Sequence, residues 1–219
     1  MTPAVALQVA SLCLIAVSCA NGPVTPIEAS PANALSLQAN VWTTISDPSD
    51  FRLENDQNGS LAFDFPADPG SMNYLYNTRP PRSIGGVMIV SLRVTTTGAV
   101  VFNYMTEPFN TCQTPAHVRP FIWANANASG DNDRWWSNPA SYQLAAGSTT
   151  LTIPLTPGRW SNVNGTFGTS SPAALAAFTA ALRNVSSLGL TFGGGCFFGH
   201  GINVKGGTAR FVLSEYRIE

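Results

Sequence analysis

The residues from Arg119 to Asn138 concentrate side chains suited to holding a sugar. Trp123, Trp135 and Trp136 stand among Asn125, Asn127, Asp131, Asn132, Asp133 and Arg134. A pyranose has apolar C–H faces and a rim of hydroxyls, so its site needs flat aromatic surface beside amide, carboxylate or guanidinium groups. On this ground Trp123, Asn125, Asn127, Arg134, Trp135 and Trp136 form the candidate ligand-binding set. Trp160, after Pro157-Gly158-Arg159, adds a further ring. A structural reading competes at each position. Trp135 and Trp136 are consecutive, so in a strand they point to opposite faces and one of them enters the core. Trp160 at a turn is equally suited to anchoring its loop.

Other constellations are less specific. Asp131-Asn132-Asp133 and Asn55-Asp56-Gln57-Asn58 are oxygen-rich loops. Calcium takes six to eight oxygens, often from such a loop; neither follows the EF-hand pattern, and plain Asx-turns are the alternative reading. Glycoside hydrolysis needs two carboxylates at a set separation. Glu107, Asp131 and Asp133 are the candidates, yet nothing in the sequence pairs them. Gly-x-Ser-x-Gly is absent, and no catalytic residue is assigned. The run Gly193 to Gly201 lacks Gly-Lys-Ser/Thr and opens no helix, which excludes a phosphate loop. His200 follows Cys196 by four positions and His117 follows Cys112 by five. This leaves a Cys₂His₂ zinc site as an alternative to the simpler outcome, a Cys112–Cys196 disulfide in an oxidising compartment.

Bulk properties narrow the classes. Charged residues make up 11% of the 219 residues, the formal net charge is −1, and Lys205 is the only lysine. Without a basic stripe to neutralise phosphates, nucleic-acid binding is excluded as a reading. Electrostatic docking on anionic lipid is excluded on the same ground. Ala4 to Val17 is apolar but for Gln8, too short to span a bilayer and suited to a secretory leader. Two processing routes compete. Cleavage after Ala20 would release a soluble protein, and cleavage before Cys19 would leave a lipidated cysteine. Ala16-Val17-Ser18-Cys19 resembles the bacterial lipobox. The expected organisation is a leader over 1–20, a Pro/Ala/Ser-rich linker over 21–40 and one domain over 41–219. Membrane contact would come only through the lipid. The protein would be exported, and either outer-membrane-anchored or periplasmic or extracellular.

The domain must be built mostly of strands. Strand patterning is found at Val41–Ile45, Leu61–Phe65, Val87–Thr96, Ala99–Met105, Val118–Ala124, Leu151–Leu155, Ser187–Phe192 and Ala209–Ile218. Gly98 is expected to turn a hairpin, Pro120 to mark an edge or bulge, and Ser214 to lie near a bulge. One helix is expected over 172–183, with Ser171 as N-cap, Pro172 in the first turn, and Leu175, Phe178 and Leu182 at helical spacing. Many short strands with a single helix predict an all-β antiparallel sandwich of jelly-roll type.

The second half carries the most specific pattern. Arg134-Trp135-Trp136-Ser137 and the strand Leu151–Leu155 precede the helix. Asn184-Val185 then leads into Leu188 to Gly194, and Gly207-Thr208-Ala209-Arg210-Phe211 opens the last strand. This order resembles galactose-binding-like jelly rolls, which include many carbohydrate-binding modules. Within them it is similar to bacterial lipoproteins. The resemblance implies a non-catalytic carbohydrate-binding protein with no cofactor beyond a structural calcium, for which Asp131 and Asp133 are the candidate ligands. It assigns no sugar-binding residue. Two other functions stay open: a structural or adhesive envelope lipoprotein with a protein partner, and a glycan-active hydrolase or lyase.

Overall fold

Apolar residues alternate along Val90, Leu92 and Val94, and along Leu61 and Phe63, so each strand offers one face to a core. The computed structural model describes residues 33–47, 51–104, 115–125, 130–139, 142–194 and 201–219. In chain order, β1 is Asn33–Ala34, β2 Trp42–Asp47, β3 Glu54–Asn55, β4 Leu61–Asp64, β5 Ser71–Asn77, β6 Val87–Tyr104 and β7 Ala116–Trp123. They are followed by β8 Arg134–Ser137, β9 Tyr142–Gln143, β10 Gly147–Pro154, β11 Trp160–Asn162, helix α1 Pro172–Leu182, β12 Ser187–Gly194 and β13 Ile202–Ile218.

All named strand pairs are antiparallel. They form two layers. The first runs β3-β4-β13-β6-β10, with β1 also on β13. The second runs β2-β5-β12-β7-β8-β11, with β9 beside β8 on β7. The layers join where Ile202 of β13 pairs with Met72 of β5. Rings from both layers fill the space between them. Phe63 stacks on Phe211 at 4.9 Å and meets Phe192 edge-on at 5.7 Å, while Trp42 meets Tyr216 at 5.7 Å. This is the β-sandwich that the strand pattern predicts. Among the described residues no helix is long and apolar enough to cross a membrane.

Several elements differ from expectation. Val87 to Tyr104 is one continuous strand, not a hairpin about Gly98. Gly98 does take a positive φ of 85°. It serves a bulge, because β13 slips register between Lys205 and Gly207 directly opposite. A Cβ at Gly98 would stand 2.9 Å from the Gly206 carbonyl oxygen. The second bulge, between Leu213 and Glu215, falls where Ser214 predicts it.

Pro120 lies in an interior strand. Leu190 of β12 stands opposite it on one side. On the other side β9 pairs His117 and Val118, and β8 begins at Phe121, so no strand asks for the missing N–H. Helix α1 has the expected cap, with Ser171 Oγ accepting from the Ala174 N–H at 3.1 Å. Its buried face is Ala174, Phe178 and Ala181, and Leu175 is exposed.

The sandwich also begins earlier than residue 41. Asn33 and Ala34 pair with Ile218 and Arg217, and Leu35 and Leu37 pack against the core. Trp42 Nε1 donates to the Ser36 carbonyl at 2.7 Å.

Candidate functional site

Residues directly opposite in an antiparallel ladder share a face, so the register shows what the second layer presents outward. One row runs Thr43, Tyr76, Gly189, Phe121, Trp136, Ser161. The row on one side of it carries Tyr74, Thr191 and Arg119. The row on the other side carries Ser187, Trp123 and Arg134. The intervening rows, with Leu75, Leu190, Leu188, Ile122 and Trp135, face the core.

Four aromatic rings on the outer face touch one another around Trp123. Its centroid lies 4.8 Å from Phe121, 5.3 Å from Tyr74 and 5.5 Å from Tyr76. Tyr74 meets Phe121 edge-on at 5.2 Å. Phe121 is buried beneath, while Tyr74, Tyr76 and Trp123 keep part of their surface in solvent. Gly189 allows β12 to approach β5 closely here, since a Cβ would come within 2.0 Å of the Leu75 carbonyl oxygen.

Two guanidiniums frame these rings. Arg119 is buried, its Nη1 donating to the Ser137 carbonyl at 3.4 Å. Desolvation pulls its pKa down to about 10. Arg134 lies close enough to the Tyr74 phenol to favour the phenolate, though burial dominates and holds that phenol above its ordinary value. The buried Nε1 of Trp123 and the buried Nε of Arg134 find no hydrogen-bond partner. These two residues are directly paired across β7 and β8. Both atoms only donate, so neither can satisfy the other.

At the end of the sheet next to Trp123 lies a cavity of about 390 Å³, lined by residues that include Thr78, Arg79, Arg82, Asn125, Asn184 and Ser186. Ser186 ties it to the face, donating to the Trp123 carbonyl from its N–H at 2.8 Å and from its hydroxyl at 3.0 Å. Arg82 Nη2 donates to Asn184 Oδ1 at 3.1 Å.

The sequence-predicted residues are thereby divided. Trp123 and Arg134 stand together on the outer face, and Asn125 is exposed beside them. Trp135 and Trp160 require correction, because both are 0% exposed and belong to the core. Trp135 packs on Phe178 at 5.1 Å and donates to the Asn132 carbonyl at 2.7 Å. Trp160 donates to the Pro154 carbonyl at 3.0 Å. Trp136 is on the outer face but 2% exposed, so it offers no open ring surface either. Asn127, Cys19, Cys112, Cys196, Glu107 and His200 lie outside the described residues.

The candidate calcium ligands Asp131 and Asp133 each hold an amide. Asp131 accepts from Asn164 Nδ2 at 2.8 Å, and Asp133 from the Gly130 N–H at 3.1 Å. Among the described residues no group of three His, Cys, Asp or Glu could hold a metal ion.

Tyr74, Tyr76, Phe121 and Arg119 are absent from the sequence-based set. Their signal was the i, i+2 spacing in Tyr74-Leu75-Tyr76 and Phe121-Ile122-Trp123, which places each aromatic pair on one strand face. Reading it required recognising Ser71–Asn77 as a strand.

No family model matches the chain, and no curated protein matches it. Among solved structures it is similar to a family 11 carbohydrate-binding module from Clostridium thermocellum in complex with a β-1,3-1,4-mixed-linked tetrasaccharide. The identity is 13%, over 85% of this chain and 94% of that one, with a TM-score of 0.45. The family 11 module of the cellulosomal cellulase Lic26A-Cel5E of Clostridium thermocellum also matches, at 13% identity over 86% and 95% of the two chains and a TM-score of 0.42. A xylan-binding module, CBM15, matches at 12% identity over 84% and 96%, with a TM-score of 0.37.

Proposed function

We propose that this protein is a non-catalytic carbohydrate-binding sandwich whose ligand lies across the outer face of the second layer. The reading is carried by one observation: Trp123, Tyr74 and Tyr76 form a partly solvent-facing aromatic cluster with Arg134 beside them. Sugar C–H faces stack on such rings, and hydroxyls take up the donors at the edge. Affinity electrophoresis of the full chain through gels containing a panel of polysaccharides tests it. At least one glycan should retard the protein, and Trp123→Ala and Tyr76→Ala should each weaken that retardation about tenfold or more, as expected for a central aromatic anchor. No retardation on any glycan would refute the proposal.

Export and anchoring through Cys19 belong to the same reading, supported by the apolar run Ala4 to Val17 and the lipobox-like Ala16-Val17-Ser18-Cys19. Metabolic labelling with palmitate, lost in Cys19→Ala, separates the lipidated form from a soluble one.

A further inference from the structure

We infer that the glycan is acidic, with its carboxylate or sulfate groups held by Arg134 and by Arg79 and Arg82 at the end of the aromatic face. This rests on the carbohydrate-binding reading and narrows it. The starting point is where the ion pairs lie. Arg210 pairs with Glu54 and Asp64, Arg217 with Glu215 and Glu219, and Lys205 with Asp68. Each of these cations is on β13, in the first layer or its extension. Arg79, Arg82 and Arg134 take part in none of these ion pairs; the same holds for Arg93 on β6, so what sets the three apart is their place beside the aromatic cluster and in the cavity at its end.

The acids nearest to Arg134 in sequence are turned elsewhere, Asp131 to Asn164 and Asp133 to the Gly130 amide. The cavity beyond Trp123 has two arginines and no carboxylate among its lining residues. On the face itself, the paired Trp123 Nε1 and Arg134 Nε are buried donors left without an acceptor. Those two atoms have almost no accessible surface themselves, so a ligand would engage, by hydrogen bonding, the part of Arg134 that stays half-exposed beside Trp123. A neutral hydroxyl can accept one such bond. A carboxylate or sulfate offers several acceptor oxygens and matches the guanidinium fork.

Calorimetric titration of the full chain with polygalacturonate, dextran sulfate and neutral mixed-linkage β-glucan tests this. One of the two acidic polymers should bind at least about tenfold more tightly than the neutral one, and raising the salt to 0.5 M should weaken that binding severalfold. Preference for polygalacturonate assigns a carboxylate, and preference for dextran sulfate assigns a sulfate. Arg82→Gln and Arg134→Gln should each weaken acidic binding about three- to tenfold, the range for charge-assisted contacts near a surface. Arg82 is exposed, so its variant should fold normally. Arg93→Gln, on the exposed surface of β6, should change binding less than twofold. Equal binding of the neutral glucan, untouched by Arg82→Gln, would overturn the acidic assignment while leaving carbohydrate binding intact. Loss of acidic binding in Arg93→Gln as well would also overturn it, by showing general charge attraction. Binding to none of the three in the titrations, with no retardation across the wider glycan panel, would remove the underlying reading.

Discussion

Replacing Trp135 by alanine and replacing Trp123 by alanine should give opposite phenotypes, although the two residues look alike in the sequence. Trp135 has no exposed surface, packs its ring on Phe178 at 5.1 Å and donates to the Asn132 carbonyl at 2.7 Å. Emptying a fully buried tryptophan site costs about 3–5 kcal/mol in lost transfer energy and residual cavity. Each kcal/mol lowers Tm by roughly 2–4 °C in a domain of this size, so Tm should fall by about 6–20 °C. Trp123 keeps part of its ring in water, and solvent can refill the space it leaves. It loses contacts with Phe121, Tyr74 and Tyr76, worth about 0.5–1.5 kcal/mol each beyond burial, with partial compensation among the remaining rings. A net loss of about 1–2 kcal/mol translates into roughly 2–8 °C. Scanning calorimetry gives both values, and affinity electrophoresis well below both transitions gives glycan binding. Trp135→Ala should keep binding at low temperature, and Trp123→Ala should lose it while remaining folded. If Trp135→Ala melted like the parent protein but no longer bound glycan, the assignment of inner and outer faces would be wrong.

Three further outcomes follow from the same geometry. Ser171→Ala removes the Oγ that accepts from the Ala174 N–H and should cost about 1 kcal/mol in urea unfolding, with no change in glycan binding. Tyr216 is buried, and burial holds its phenol far above the ordinary value. Above about pH 10 the unfolded chain releases this proton while the folded protein keeps it, so stability present below pH 10 should decline by up to about 1.4 kcal/mol per pH unit above it. Tyr216→Phe should flatten that decline, leaving the share due to Tyr74, whose phenol is shifted the same way, and unchanged steepness would refute it. Cys112 and Cys196 should form a disulfide if the protein reaches an oxidising compartment. Closing that loop should add about 4 kcal/mol, so reduction should lower Tm, and peptide mapping that found two free thiols would disprove the bond.

The layered, antiparallel architecture is legible in the sequence because alternation over four or more residues fixes a buried face. Leu61 and Phe63, and Val90, Leu92 and Val94, show this directly. The long strand Val87 to Tyr104 was not legible. Gly98 carries the same local signal whether the chain reverses or merely bulges, and only the slip between Lys205 and Gly207, more than 100 positions away, decides between them. Pro120 misleads for a related reason. Proline excludes a partner at one position, and the gap between β9 and β8 supplies that vacancy inside a sheet.

The candidate site was half legible for a sharper reason. Aromatic density between Arg119 and Asn138 marks a packed region, but it is blind to which side of the sheet each ring occupies. Trp135 and Trp136 had to separate, and they do. Trp123 is set on the outer face by its pairing with Arg134, and Tyr74 and Tyr76 reach it only because β12 lies between β5 and β7. The same limit applies to charge. A formal net charge of −1 describes the whole chain. It conceals that Lys205, Arg210 and Arg217 on β13 pair with carboxylates, whereas Arg79, Arg82 and Arg134 take part in no ion pair among the described residues. Composition therefore excludes a partner that needs a broad basic stripe, such as nucleic acid. It does not exclude one that needs Arg134 beside the aromatic cluster and Arg79 and Arg82 in the cavity at its end.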